Sequence, residues 1–303
     1  MDNLEIIGVD HGWSQMKTAS KVFTTAVAEA HSPTFFDNIL EYEEKYYAIG
    51  GKRIEVKNTK VENDDYYILT LAALAVEMKR RRMNDADVFL AVGLPLTRFR
   101  EEKQDFIDYL MRSEEVAFSF EEEQYAARLK RIAVFPQCYA AVADMIGFFP
   151  KKAVVVDIGS WTIDIMPVVN KRPVDNECIS LPHGLITCMR GINRICLREN
   201  NCEIDEMDME NFMQHGQVGK HIPEKCVELM RLELKNYTQM VLQSLKEHEI
   251  NVDMTPVTFV GGGACVMKNF CEKKLPSFDF KLDVKANAKG YETMARYALR
   301  DRR

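Results

Sequence analysis

The sequence predicts an α/β protein built as two similar lobes, and three observations carry that prediction. The chain has 303 residues, about twice the ~150 residues of a common domain. Segments of alternating apolar residues exchange with segments of helical apolar spacing along its length, the pattern of mixed α/β construction. Two stretches, IIGVDHGWSQMK near the start and AVVVDIGSWTID past the middle, share one order of features: an apolar strand, an aspartate, one residue, a glycine, then polar residues. Two halves that open on the same hairpin imply two lobes facing a cleft.

The first hairpin reads from LEIIGVDHGWSQMKTASKVF: a strand to Asp10, a tight turn at Gly12, and an apolar return through Met16, Ala19 and Val22. More β sequence lies around EYEEKYYAIGG. DDYYILTLAALAVEMKRRRM has helical spacing, and its basic run from Lys79 to Arg82 falls where cations complement a helix C-terminus. DVFLAVGLPLTRF is a buried strand closed by a Gly/Pro loop, and TRFREEKQDFIDYLMRS is a helix with opposite charges four apart. VAFSFEEE and YAARLKRIAVFPQ alternate as strands, and CYAAVADMIGFF is expected to be a helix.

After Pro150 the pattern restarts. KKAVVVDIGSWTIDIMPVV is again strand, aspartate, glycine turn and strand, and NKRPVDNECISLP reads as the next hairpin. LITCMRGINRICLREN is helical, CEIDEMDMENFMQHG is a polar acidic segment, and Pro223 opens the long helix PEKCVELMRLELKNYTQMVLQSLKEH. TPVTFVGGGACVMKNF passes from a strand through three glycines into a helix, and KANAKGYETMARYAL closes the chain. There is no short repeat or low-complexity linker.

Composition narrows the function classes. With 47% apolar and 28% charged residues the chain is an ordinary globular protein. Its formal charge of -6 argues against broad electrostatic binding to nucleic acid or anionic membrane. The N-terminus MDNLEIIGVDHG lacks the basic and apolar regions of a signal peptide, and no apolar run is long enough to span a bilayer, so a cytoplasmic location is expected. The eight cysteines show neither C-x-x-C pairs nor zinc-ligand spacing and read as reduced, mostly buried residues.

Glycine directly after a strand end lets backbone N–H groups approach a phosphate unobstructed, and such nests bind anions. Ser14, Ser160 and Thr162 add hydroxyls, and Lys17 adds a point charge suited to phosphate. Carboxylates at strand ends are costly to bury unpaired. A magnesium ion, which takes few direct carboxylates beside water and phosphate oxygens, would answer that cost at Asp10 and Asp157. The plain alternative is a turn aspartate bonded to its own backbone, and the repetition of the pattern weighs against it. Gly261, Gly262 and Gly263 allow either close approach of a nucleotide or a simple strand-to-helix turn. Gln137, between a strand and the expected helix, suits either a helix start or the orientation of an attacking water.

Those elements, a D-x-G hairpin, a strand ending in P-Q, a D-x-G-x-x-T hairpin and a G-G-G turn, in that order, resemble the actin superfamily of ATPases. The stretches GVDHGWSQMKTA, DVFLAVGLPLTRF, VFPQCYAA, VVVDIGSWTIDI, FVGGGA and ANAKGYETMARY look most like the ParM/StbA plasmid-segregation actins and together span nearly the whole chain. The resemblance implies an actin-like (ribonuclease H-like) two-lobed fold, each lobe a mixed sheet flanked by helices, with a nucleotide cleft between lobes. Lobe I would take 1–146 and the C-terminal helix 285–303, with an insertion near 31–65; lobe II would take 147–284, with an insertion near 190–235.

Residue by residue, the resemblance implies that Asp10 and Asp157 hold magnesium through water, and that Gly12, Trp13, Ser14 and Lys17 line a first phosphate loop. Gln137 and Asp157 would act on the attacking water. Gly159, Ser160, Trp161 and Thr162 would form a second loop, and Gly261, Gly262 and Gly263 would pass under the adenosine. Trp13 and Trp161, the only tryptophans, stand where the family has small residues, and they either narrow the site or pack away from it. Gln137 is the actin choice where bacterial relatives often carry glutamate. His11 reads as a turn residue rather than a base.

The implied function is a filament-forming ATPase, using ATP (with GTP left open) and Mg2+, that segregates plasmid DNA. Its expected partners are further copies of itself and a basic DNA-binding adaptor, with neither direct nucleic-acid contact nor a membrane. The alternative of the same fold is a non-polymerising small-molecule kinase, which needs an acid near the GLPLTRF loop to activate its acceptor; none stands there before Glu101. A nucleotide-dependent chaperone module would need a long substrate-binding extension that the sequence lacks.

Overall fold

The computed structural model describes residues 4–32, 38–55, 57 and 59–300. Part of the insertion expected at 31–65 therefore lies outside the described residues. The chain divides into two compact units, Met1–Asp144 with Lys285–Arg303, and Met145–Val284.

In the first unit, the apolar run ending at the first aspartate forms β1 (Leu4–His11), which turns back as β2 (Gln15–Thr18) and β3 (Val22–Thr24). The expected return thus bends once more at Ala19–Ser20, so that Val22 pairs with Lys17 instead of extending its strand. The strands β4 (Val27–Ala30), β5 (Ile39–Tyr42) and β6 (Lys45–Ile49) precede α1 (Asp65–Arg80). Helix α1 is buried on nearly every side from Tyr66 to Ala75, as expected of a helix apolar all round. Three residues of its basic end are paired: Lys79 with Glu121 and Glu123, Arg80 with Glu77, and Arg81 with Glu5. The order continues with β7 (Asp85–Leu94), the amphipathic α2 (Phe99–Leu110), β8 (Glu115–Phe120) and β9 (Glu123–Pro136). The sheet order is β3-β2-β1-β7-β9-β8-β5-β6-β4, with β7 parallel to both β1 and β9.

The stretch expected as a helix after Gln137 is instead two short 3-10 turns, Ala140–Val142 and Ile146–Phe148. Cys138 enters it with φ +67, a left-handed residue that breaks the path from strand to helix.

The second unit repeats the opening: β10 (Lys152–Ile158) pairs antiparallel with β11 (Ile163–Val169). The left-handed pair Asn170 and Lys171 returns the chain into β12 (Arg172–Pro173), and β13 (Ile179–Leu181) also pairs with β11. Helix α3 (Leu185–Asn200) follows, then α4 (Glu206–His215). The acidic segment is thus a helix. Asp205 caps it by accepting from Met207 N, Gly216 ends it at φ +70, and Met209, Phe212 and Met213 give it a buried face. Helix α5 (Glu224–Glu247) buries Cys226, Met230, Leu234, Tyr237, Val241 and Leu245, a single stripe at helical spacing. The strand β14 (Val257–Val260), helix α6 (Ala264–Phe270) and strand β15 (Phe278–Phe280) complete a sheet in the order β12-β11-β10-β14-β15. As in the first unit, the strand that carries the aspartate has an antiparallel neighbour on one side and a parallel one on the other.

Helix α7 (Ala286–Arg300) belongs to the first unit, against β1, β7 and the 3-10 turn at Ala140–Val142. Ala288, Tyr291 and Ala295 form its buried face. Its buried Glu292 accepts from Gly8 N at 3.3 Å and pairs with Arg81 at 3.0 Å, so the carboxylate is not left uncompensated. None of the eight cysteines forms a disulfide.

Candidate functional site

The two aspartate-ended strands deliver two turns, one in each unit. In the first, Asp10 is 3% exposed and its carboxylate is satisfied by side chains. Gln137 donates Nε2 to Oδ1 at 3.0 Å, and Lys17, its cross-strand partner, lies 3.3 Å from Oδ2. The burial of Asp10 therefore needs no metal to explain it. The turn closes where Gly12 N donates to Asp10 O at 3.0 Å, and Thr25 Oγ1 donates to Gly12 O at 2.7 Å. Ser14 is buried and its carbonyl accepts from Thr25 N.

His11 is fully buried and points into the core of the first unit. The Thr70 hydroxyl donates to Tyr66 O, so it accepts from His11 Nε2 at 2.8 Å, which puts a proton on Nε2. Burial first, and the charge of Lys60 second, hold His11 well below the usual histidine range. Its free lone pair, on Nδ1, is enclosed in the core and is not presented to a substrate.

Trp13 packs inward. It is half-buried against the core, with Tyr66 edge-on at 5.8 Å between centroids. Beside it lies Lys60, which is 6% exposed and whose Nζ sits 5.9 Å from the Trp13 ring centroid. Burial pulls the Lys60 amine down to about 8, against the favourable charges of Asp10 and Glu102. No sequence motif marks Lys60; its place in the fold, before α1, brings it under the first turn.

The second turn is held by the main chain. Gly159 N donates to Thr162 O at 2.9 Å. The start of α3 then covers the turn: Gly184 N donates to Trp161 O, Leu185 N to Gly159 O and Ile186 N to Ser160 O, each at 2.9–3.0 Å. In a planar trans peptide the N–H points opposite to the C=O. The amides of Ser160, Trp161 and Thr162 are thus turned away from α3, on the side where an anion would approach. Gly184 is required by this contact, since a Cβ there would lie 2.4 Å from the Trp161 backbone. It stands in the sequence as a glycine just before a helix, a signal that went unread. Thr162 Oγ1 donates to Asp164 Oδ2 at 2.9 Å, and the Trp161 ring lies half-buried under the Arg190 guanidinium at 5.3 Å.

Asp157 is 8% exposed and lies against the glycine turn after β14. Gly261 has φ +77, and a Cβ on it would meet Asp157 Oδ1 at 2.2 Å. Gly263 N donates to Ile158 O at 2.9 Å, while Gly262 is the tolerant member, with no atom nearer than 3.7 Å. The structure thus brings Asp157, the second turn and Gly261–Gly263 together in the second unit. In the first unit it brings together Asp10, Gly12, Trp13, Ser14, Lys17 and Gln137.

Among the described residues, no three His, Cys, Asp or Glu side chains gather as metal ligands. The buried carboxylates of the turns are hard oxygen donors suited to magnesium. Water and phosphate oxygens would have to complete the coordination. No helix among the described residues is long and apolar enough to cross a membrane.

Residues 8–139 match the family described as actin like proteins, N terminal domain. Among curated proteins none matches the sequence. Many solved structures share the fold, among them the following three. The archaeal actin homolog Ta0583 in complex with ADP is 19% identical over 96% of this chain and 99% of its own, with a TM-score of 0.77. Bacillus thuringiensis ParM with ATP is 13% identical over 98% of this chain and 100% of its own, at 0.74. The Alp12 filament structure is 14% identical over 98% and 99%, at 0.71. The fold is actin-like.

Proposed function

We propose, from an actin-like fold whose residues 8–139 match the actin-like N-terminal domain, that the protein is an ATPase that assembles into filaments. The observation that carries this reading is the repetition of one device: a strand ending on a buried aspartate, followed by a glycine turn, in each unit. In the first unit, Trp13 and Ser14 offer turn amides to phosphate, Gly12 shapes the turn so that the backbone can approach it, and Lys17 is the nearby cation. In the second, the amides of Ser160, Trp161 and Thr162 do the same after Gly159, and Gly261–Gly263 run beside the adenosine. Support comes from the fold neighbours: Ta0583 in complex with ADP, Bacillus thuringiensis ParM with ATP, and the Alp12 filament.

Asp10 and Asp157 would hold magnesium through water, and the charge it would supply there is the kind that neutralises phosphate oxygens in phosphoryl transfer. Asp157 accepts a hydrogen bond from the attacking water and Gln137 orients it. Hydrolysis is slow and destabilises a head-to-tail polymer, a heterologous assembly that does not close. The acidic chain carries plasmid DNA through a basic adaptor, in the cytoplasm.

Electron microscopy of the purified protein with and without ATP and magnesium tests the assembly. Filaments that need the triphosphate are expected, and their absence across a wide concentration range overturns that part. Asp157→Ala is expected to lower phosphate release at least about a hundredfold and to leave long-lived filaments. Unchanged release would remove Asp157 from the chemistry.

A further inference from the structure

We propose that Lys60 is a phosphate contact of the first turn: its ammonium, carried in a box of Trp13, Tyr66 and Phe106, meets the terminal phosphate of the bound nucleotide. This rests on the nucleotide reading above and concerns a residue to which that reading gives no role.

Lys60 is buried to 6% exposure, with Nζ 5.9, 6.0 and 6.0 Å from the centroids of the Trp13, Tyr66 and Phe106 rings. No hydrogen bond or ion pair joins Nζ to another described residue, and Nζ is not among the fully enclosed side-chain atoms left without a partner, so the box keeps an opening at the ammonium. Aromatic faces attract the charge, but they supply no lone pair for its three N–H donors. The charged neighbours do not resolve this. Lys17 is paired with Asp10 at 3.3 Å, and Arg98 with Glu102 at 2.9 Å. Those two acids and two bases are the groups that act on Lys60, and they are matched to one another. Nearby His11 is neutral. One positive charge is left over at that opening, on a side chain otherwise out of water, and such a charge gains from an anion that can reach it.

The missing component is an anion. Trp13 belongs to the turn assigned to phosphate and to the box that holds Lys60, so the ammonium sits one ring away from that turn. Asp10, whose charge acts on Lys60, is the residue assigned to the metal on the outer phosphates. An ammonium on this side serves the phosphate end of the nucleotide rather than the adenosine end, and the terminal phosphate is what distinguishes a triphosphate from a diphosphate.

The test compares wild type, Lys60→Met and Lys60→Arg by calorimetric titration with ADP and with a non-hydrolysable ATP analogue, both with magnesium. Lys60→Met is expected to weaken the triphosphate analogue about tenfold or more and to leave ADP within about twofold. Lys60→Arg is expected to keep the preference. Without nucleotide, Lys60→Met should melt no lower than wild type, because an uncompensated charge is gone, and its melting point should rise less on adding the triphosphate. Equal losses for both nucleotides, no loss for either, or a lower melting point with an unchanged nucleotide preference would overturn the assignment and leave Lys60 a structural residue. A wild type that binds neither nucleotide would overturn the nucleotide reading and this one together; a wild type that binds both, with the preference intact in Lys60→Met, overturns this one alone. Should the methionine variant fail to fold, Lys60→Gln carries the same comparison.

Discussion

The turn after β1 and the turn after β10 have the same strand surroundings and are held by different means. The first is braced by side chains: Lys17 and Gln137 on Asp10, Thr70 on His11, Tyr66 and Lys60 on Trp13. The second is braced by backbone: three amides from the start of α3 on the turn carbonyls, and glycines 184 and 261 pressed against Trp161 and Asp157. A side-chain brace answers to charge and pH, whereas a main-chain brace answers to the presence of a Cβ. Each unit should therefore break under a different kind of substitution.

The largest effect is expected in the main-chain brace. Gly261→Ala adds a left-handed penalty of about 1–2 kcal/mol to an overpacking penalty of about 1–3 kcal/mol against Asp157 Oδ1. A destabilisation of about 3 kcal/mol should appear in urea unfolding, while Gly262→Ala should stay within about 0.5 kcal/mol. Equal effects at the two positions would show that the second turn is not held as described.

Next in size is the charge buried beneath the first turn. Lys60 loses its proton near pH 8 in the folded chain against 10.5 for a lysine in water. Between those pH values the unfolded chain binds more protons, so stability rises with pH across that window. Below pH 8 the buried charge costs on the order of 3 kcal/mol. Lys60→Met should therefore be more stable than wild type at pH 7, and its advantage should shrink toward pH 10. A difference that does not vary with pH would mean that the amine is not desolvated.

These contrasts also mark what the sequence could and could not reveal. The strand-aspartate-glycine turns and the triple glycine were legible because close backbone approach demands glycine, and glycine is visible at a fixed offset from a strand end. The inward packing of Trp13 was not, since the identity of a residue does not say which side of a turn its ring will take. Lys60 was invisible for a stronger reason. The rings around it come from the first turn, α1 and α2, and no local spacing encodes a box assembled by tertiary packing. The stretch after Gln137 misled because its alanines and aromatics favour a helix, whereas the left-handed Cys138 and the contact with α7 permit only single 3-10 turns. The acidic segment misled in the opposite direction: its charges masked the i, i+3, i+4 set Met209, Phe212 and Met213 that buries α4.

The smallest effects separate the two tryptophans, which replace small residues of the resembled family at matching places in the two turns. Trp13 is tied to the core cluster of the first unit through Tyr66, and its removal also takes one wall from the box around Lys60. Trp13→Ala should cost about 2 kcal/mol, less than a fully buried tryptophan because the ring is only half-buried. Trp161 contributes its contact with Arg190, while its backbone does the work of the turn. Trp161→Ala leaves every one of those backbone bonds in place and should cost about 0.5–1 kcal/mol, the size of a partly exposed cation–π contact. The chain has no other tryptophan, so each variant leaves a single fluorophore and its own urea transition to follow. If Trp161→Ala proved the more damaging of the two, the second turn would depend on its side chain after all, and the division between side-chain and main-chain bracing would fail at the position where it is easiest to measure.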